Sequence, residues 1–155
     1  MEVSQRKRIV IADDFQRMID AVEQRLATDY DVVGKALDGV ELVEYACRLR
    51  PDLMVVDFAM PRLNGIDALR HLRSIGVHIP SVILTMHEDE DLAPEARSVG
   101  AQGFVIKSRL ETDLRAAVEE VLAGRSFTSE PLSHGMRRNG KTRSRAEVMR
   151  VVPQS

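Results

Sequence analysis

Short apolar segments, each followed by a helical pattern, constrain the fold of this 155-residue chain more than any other feature. The segments are continuously apolar rather than alternating in polarity, which is typical of strands buried on both faces of a parallel sheet. We assign strands to residues 8–12, 30–36, 51–57, 80–85 and 103–107. We assign helices to residues 15–27, 38–50, 65–74, 89–99 and 111–124.

The regular alternation of strands and helices predicts an α/β fold with helices on both faces of one sheet. Right-handed crossovers leave few topologies, and the length of the chain fits a flavodoxin-like doubly wound domain. We therefore predict a five-stranded parallel sheet in the order 2-1-3-4-5, with the strands numbered along the chain.

A change in composition after the last helix divides the chain into two regions. We assign residues 1–127 to the folded domain and residues 128–155 to a basic, flexible tail that is too short to form a second core. Residues 126–155 contain six basic and two acidic side chains, although the whole chain has a net charge of −2. No apolar run reaches the roughly 20 residues that span a membrane, so we expect a cytoplasmic protein without membrane contact.

Polar side chains stand where four of the strands end. Asp13 and Asp14 follow the first strand, Asp57 ends the third, Thr85 ends the fourth and Lys107 ends the fifth. Binding sites of open parallel sheets form at this edge, so we expect the five side chains to lie together. Either of the first two aspartates could instead cap the following helix, and each of the others could be an ordinary strand-end residue. The joint placement on successive strand ends favours a site.

Three carboxylates in one cleft require a cation. Oxygen ligands without histidine or cysteine favour Mg²⁺, with Mn²⁺ as the alternative ion. The single cysteine, Cys47, excludes a cysteine-based zinc cluster. An aspartate can attack phosphorus to form an acyl phosphate, and the metal with Lys107 would neutralise charge on the transferred group. The Thr85 hydroxyl could donate a hydrogen bond to a phosphoryl oxygen.

The residues at these strand ends resemble the response-regulator receiver (CheY-like) domain of bacterial two-component signalling. The resemblance covers residues 7–125 and rests on "ADD" (12–14), "VVDFAMPRLNGIDAL" (55–69), "LTMHEDE" (84–90) and "AQGFVIKS" (101–108). Many receivers have proline where this chain has Ser108. Together with "GFVIKS" and "LTMHEDE", this serine makes the chain similar to the NarL/FixJ branch, whose members usually carry a DNA-binding helix-turn-helix. Residues 128–155 are too few for that domain, so we expect no DNA binding by this chain. Phosphate contacts by the basic tail are the alternative.

The resemblance implies Asp57 as the phosphoacceptor. It implies Asp14 and Asp57 as direct Mg²⁺ ligands, with Asp13 acting through water and the main-chain carbonyl of Ala59 also on the metal.

The resemblance also implies Thr85 and Lys107 as phosphate contacts and Phe104 as the aromatic switch. A core aromatic on a strand is the alternative for Phe104. We further expect Ala59 and His87 to set the lifetime of the phosphoryl group, although His87 could equally be a solvent-exposed loop residue.

We expect a phosphorelay switch rather than an enzyme with turnover, phosphorylated by a sensor histidine kinase or a phosphotransfer protein. Phosphorylation would change the surface of the fourth helix, fifth strand and fifth helix, control an output protein or domain, and permit a phosphorylation-linked homodimer. One alternative is the receiver fragment of a NarL/FixJ-type transcription regulator without its helix-turn-helix. A less favoured one is a Mg²⁺-dependent aspartyl-phosphate phosphatase, which needs a second acid two residues after Asp13, where Phe15 stands.

Overall fold

Strands and helices alternate along the residues that this computed structural model describes, 5–86 and 92–129. The strands are β1 (Arg8–Ala12), β2 (Asp31–Ala36), β3 (Leu53–Asp57), β4 (Ser81–Thr85), β5 (Ala101–Ile106) and β6 (Phe127–Thr128). The helices are α1 (Gln16–Leu26), α2 (Gly39–Leu49), α3 (Gly65–Ser74), α4 (Leu92–Ser98) and α5 (Leu110–Leu122), and a 3₁₀ turn (Lys107–Arg109) precedes α5.

The sheet has the order β2-β1-β3-β4-β5-β6, and every neighbouring pair is parallel. Its first five strands confirm the predicted 2-1-3-4-5 order and the flavodoxin-like doubly wound fold. This order places the carboxyl ends of β1, β3, β4 and β5 side by side, and those are the strand ends that carry the candidate site.

The sixth strand was not predicted, so the expected count of five strands was wrong by one. Phe127 and Thr128 pair with Gly103 and Phe104 of β5. A strand of two residues is too short to produce a periodic pattern in the sequence, which is why it was missed. Residues 128 and 129 therefore contact the sheet, while the rest of the proposed tail, 130–155, lies outside the described residues.

Alternate residues of each central strand face opposite layers of helices. Ile9 and Ile11 of β1 pack in the apolar cluster that contains α1 and α5. Val10 and Ala12 pack in the cluster formed with α2, α3 and α4. Burial on both faces explains why these strands are continuously apolar. Within the described residues, no helix is long and apolar enough to cross a membrane.

Local signals in the sequence explain where two of the helices begin. The Asp38 side chain accepts a hydrogen bond from the Glu41 amide at 2.8 Å, as expected of an N-cap aspartate at the start of α2. Asn64 accepts from the Asp67 amide at 2.8 Å and caps α3 in the same way. The α3 cap fixes the end of the loop that follows Asp57.

Candidate functional site

The acidic residues predicted for the site come together at the carboxyl edge of the sheet. Asp13 and Asp57 are buried, with 1% and 4% of their surface exposed, whereas Asp14 is exposed. One carboxylate oxygen from each of the three lies within 4.8 Å of those of the other two. The structure therefore brings together the three carboxylates that the sequence placed at two separate strand ends.

Lys107 lies between the two buried carboxylates. Its Nζ is 3.0 Å from Asp13 Oδ2 and 3.0 Å from Asp57 Oδ1. The lysine side chain is only 10% exposed, so these ion pairs are largely shielded from solvent. One ammonium group thus pairs with two carboxylates. Because Asp14 adds a third carboxylate, the cluster has a formal excess of negative charge.

Burial governs the protonation of this cluster. Desolvation, with the charge of Asp13 acting in the same direction, raises the pKa of Asp57 to about 6 against the opposing effect of Lys107. Desolvation also raises the pKa of Asp13, although Lys107 and the Phe15 amide act to lower it. Burial acts to lower the pKa of Lys107, but its two carboxylate partners outweigh this effect and raise the pKa.

The site has an oxygen atom that its protein partners do not fully satisfy. Asp13 Oδ2 is buried and, apart from its ion-pair contact with Lys107, has no hydrogen-bond partner in the part of the chain that the structure describes. A carboxylate oxygen has two lone pairs, so Asp13 Oδ2 can accept a further ligand besides the ammonium. The other oxygen, Asp13 Oδ1, accepts from the Phe15 amide at 2.9 Å.

A small divalent cation fits this arrangement. The donors are carboxylate oxygens that converge within one ion's reach, and one of them, Asp13 Oδ2, is buried with no partner among the described residues except the Lys107 ammonium. Mg²⁺ and Mn²⁺ prefer such oxygen ligands. The residues present therefore fit the expected ion.

The alternative role of Asp13 and Asp14 as helix caps is not what the structure contains. Phe15 is the N-cap of α1 and makes no side-chain capping bond. Asp13 instead bonds the amide two residues ahead in an Asx-type turn, which fixes its carboxylate at the end of β1. Sequence reasoning missed this role of the Phe15 amide, although an aspartate followed by a loop is a signal for such a turn.

Thr85 and Phe104 lie on the adjacent strands β4 and β5. Thr85 is the last residue of β4, is 2% exposed, and stands opposite Ile106 in the register. Phe104 stands opposite Ile83, is 7% exposed, and packs in the cluster on the α4 side of the sheet. The ring is buried as a core aromatic would be, and it lies on the strand that leads to Lys107.

The loop between Asp57 and α3 is held close to the site. A Cβ on Gly65 would lie 2.5 Å from the carbonyl oxygen of Asp57, so only glycine allows this approach. Arg62 has a left-handed φ of 68° and forms an ion pair with Asp38 at 3.0 Å. Ala59 is exposed in this loop. His87, the other residue expected to set the phosphate lifetime, lies outside the described residues.

Comparison with known proteins decides the family. The sequence model of the response regulator receiver domain family matches residues 9–119 of this chain, which is more than half of its length. The chain belongs to the response regulator receiver family. This receiver domain is 38% identical over 114 residues to the transcriptional regulatory protein PdtaR of Mycobacterium tuberculosis (strain CDC 1551 / Oshkosh), a match that covers 73% of the chain and 55% of PdtaR.

Two further relatives agree with this assignment. The receiver domain is 32% identical over 127 residues to the nitrate/nitrite response regulator protein NarL of Escherichia coli (strain K12), covering 81% of the chain and 59% of NarL. A crystal structure of a LuxR-family two-component response regulator from Aurantimonas sp. SI85-9A1 superposes with a TM-score of 0.75 at 32% identity, covering 79% and 89% of the two chains. The chain spans little more than half the length of the first curated relatives it matches.

Proposed function

We propose that this receiver domain accepts a phosphoryl group on Asp57 from a sensor histidine kinase or a phosphotransfer protein. The single observation that carries the proposal is the convergence of Asp13, Asp14 and Asp57 with an ammonium 3.0 Å from both buried carboxylates. A structural role alone would favour fewer buried acids than the cluster contains, because each costs desolvation energy.

The proposed reaction is an in-line transfer. An Asp57 carboxylate oxygen attacks phosphorus, a P–O bond forms as the P–N bond to the donor imidazole breaks, and the imidazole nitrogen keeps the electron pair and takes a proton. Lys107, already 3.0 Å from Asp57 Oδ1, is placed to neutralise charge on the phosphoryl oxygens.

Four groups would hold the metal. They are the carboxylates of Asp14 and Asp57 and the main-chain carbonyl of Ala59, which would bind it directly, and the carboxylate of Asp13, which would act through water. When bound, Mg²⁺ (or Mn²⁺) supplies charge neutralisation at the transferred group. Lys107 holds its proton throughout, since its pKa is raised by the two carboxylates even against burial.

The proposed switch is local. The Thr85 hydroxyl donates a hydrogen bond to a phosphoryl oxygen and moves toward it, and the Phe104 ring takes up the space that Thr85 leaves. The surface formed by α4, β5 and α5 changes as a result, which is a population shift between two states. Ala59 and His87 set how long the phosphoryl group survives. The protein cycles between these states rather than turning over a substrate.

The output and the location are part of the proposal. We place the protein in the cytoplasm, where its changed surface contacts an output protein or domain, or pairs with a second copy. Because the match covers 55% of PdtaR and 59% of NarL, the second candidate is the receiver part of a larger transcription regulator. A phosphatase is disfavoured, because Phe15 stands where its second acid would be needed.

Labelling with acetyl phosphate tests the proposal. With Mg²⁺, the chain should take up one phosphoryl group, and chelation or the substitution Asp57→Ala should abolish uptake. Asp20→Ala is the matched control, because Asp20 is an exposed aspartate on α1. Label retained by Asp57→Ala, or sustained hydrolysis of a generic phosphate ester, would contradict the proposal.

A further inference from the structure

Ser129, the residue after β6, makes three hydrogen bonds to two different elements. Its amide donates to the Phe104 carbonyl at 2.8 Å. Its hydroxyl donates to Asp113 Oδ2 at 2.6 Å and accepts from the Ile106 amide at 3.1 Å. Ser129 is only 5% exposed, so these bonds are shielded from water. We call Ser129 and these three partners the clasp.

Asp113, the charged residue of the clasp, accepts hydrogen bonds from two further side chains besides Ser129. Asp113, in the first turn of α5, also accepts from Arg109 Nε at 2.9 Å and from Thr112 Oγ1 at 3.1 Å. Burial acts to raise the pKa of Asp113, but the hydrogen bonds from Arg109, Ser129 and Thr112 outweigh it and lower the pKa. The carboxylate is therefore ionised at neutral pH, and its bond with the serine hydroxyl is charge-assisted.

The clasp binds the backbone of β5 at Phe104 and Ile106, close to the proposed switch residues Phe104 and Lys107. Its two backbone partners, Phe104 and Ile106, flank Val105, and Ile106 directly precedes Lys107. A short edge strand needs only backbone pairing, yet here a buried side chain joins the strand to α5 as well. The neighbouring Thr128 differs, since it is exposed and its hydroxyl accepts a hydrogen bond from the exposed side chain of Arg97 at 3.2 Å.

We propose that Ser129 is a positioning residue that holds the end of β5, with Phe104 and Lys107, in the arrangement that binds a phosphoryl group on Asp57. The inference rests on the proposed function, because that arrangement matters only if Asp57 is phosphorylated. In the structure the closed clasp accompanies a buried Phe104 ring. With the clasp closed, Lys107 Nζ also lies 3.0 Å from Asp57 Oδ1, so we expect a phosphoryl group on Asp57 to favour the closed clasp.

Coupling of this kind is reciprocal. If binding of a phosphoryl mimic at Asp57 strengthens the clasp, then breaking the clasp must weaken binding of the mimic by the same factor. Two independent measurements, one at each site, must agree. A serine that merely holds a strand end in place would shift neither measurement relative to its neighbour Thr128.

The experiment uses the full chain with Mg²⁺ and beryllofluoride as the phosphoryl mimic. Fluorine NMR gives the apparent affinity for beryllofluoride, and amide hydrogen exchange reports the Ser129 and Ile106 amides. The variants are Ser129→Ala, which removes the hydroxyl, Ser129→Thr, which keeps it, and Thr128→Ala as the matched control.

We expect Ser129→Ala to weaken beryllofluoride binding by about fivefold or more, with Ser129→Thr and Thr128→Ala close to the unsubstituted chain. In the unsubstituted chain, beryllofluoride should slow exchange of the Ser129 amide by a similar factor. This second measurement needs no variant, so it decides the question even if Ser129→Ala does not fold.

Two results would overturn the inference alone. One is a Ser129→Ala affinity equal to that of Thr128→Ala. The other is an unchanged Ser129 amide while beryllofluoride binds and shifts the amides of Thr85 and Lys107. If beryllofluoride fails to bind the unsubstituted chain at all, the proposed function itself fails and the inference falls with it.

Discussion

Replacement of Asp57 by asparagine should make the metal-free protein more stable at neutral pH. The Asp57 side chain is 5% exposed and lies 3.0 Å from Lys107, yet burial still raises its pKa to about 6 from 3.8. The ionised carboxylate is thus destabilised in the folded state relative to the unfolded chain. Asparagine keeps the shape of the side chain and removes that cost.

The sign and size follow from proton linkage. Between pH 3.8 and about 6 the unfolded chain has lost the Asp57 proton while the folded chain retains it, so stability falls as pH rises through this window. Each pKa unit corresponds to 1.36 kcal/mol, so the 2.2-unit difference gives a loss of about 3 kcal/mol at pH 7.5. At pH 4.5 only about 1 kcal/mol of that loss has developed.

Urea unfolding in the presence of a chelator, at pH 4.5 and pH 7.5, measures this difference. The free energy of unfolding of Asp57→Asn should exceed that of the unsubstituted chain by about 3 kcal/mol at the higher pH and about 1 kcal/mol at the lower. Asp20→Asn, at an exposed aspartate, is the control and should change stability by less than about 0.5 kcal/mol. An Asp57→Asn variant that is less stable at pH 7.5, or a difference that does not grow with pH, would refute the reasoning.

Three further outcomes are expected. Lys107→Met leaves two buried carboxylates without their ammonium, so in metal-free buffer at pH 7.5 urea unfolding should report a loss of about 3 kcal/mol, reduced at pH 5. Gly65→Ala places a Cβ 2.5 Å from the Asp57 carbonyl oxygen, and thermal unfolding should show a loss of about 1–3 kcal/mol with slower labelling by acetyl phosphate. Mg²⁺ at ten times its dissociation constant should stabilise the unsubstituted chain by about 1.4 kcal/mol, and Asp57→Asn markedly less; equal stabilisation of both would contradict metal binding at Asp57.

The order of the sheet and the position of the site could be predicted because both depend on patterns that are local in the sequence. Continuously apolar segments such as "LMVVD" in β3 identify strands buried on both faces. The edge at which parallel strands end is then fixed by topology, so Asp57, Thr85 and Lys107 had to approach one another.

Other features depend on geometry that no local pattern encodes. That Lys107 contacts Asp13 as well as Asp57 depends on where the 3₁₀ turn at Lys107 begins. The clasp depends on a hydroxyl and a carboxylate 16 residues apart that meet only after α5 has packed. The expected start of the fifth strand, residue 103, was two residues late, because the polar Gln102 separates Ala101 from the apolar run that follows.

The brevity of β6 also bears on self-association. An outer strand with free backbone N–H and C=O groups can pair with the sheet of another molecule. Here β6 covers part of β5 and offers only two residues itself, while β2, at the opposite margin, carries Asp31 and a Lys35 that is paired with Glu23 at 2.8 Å. Extension of the described sheet from one molecule to the next is thereby discouraged at both margins.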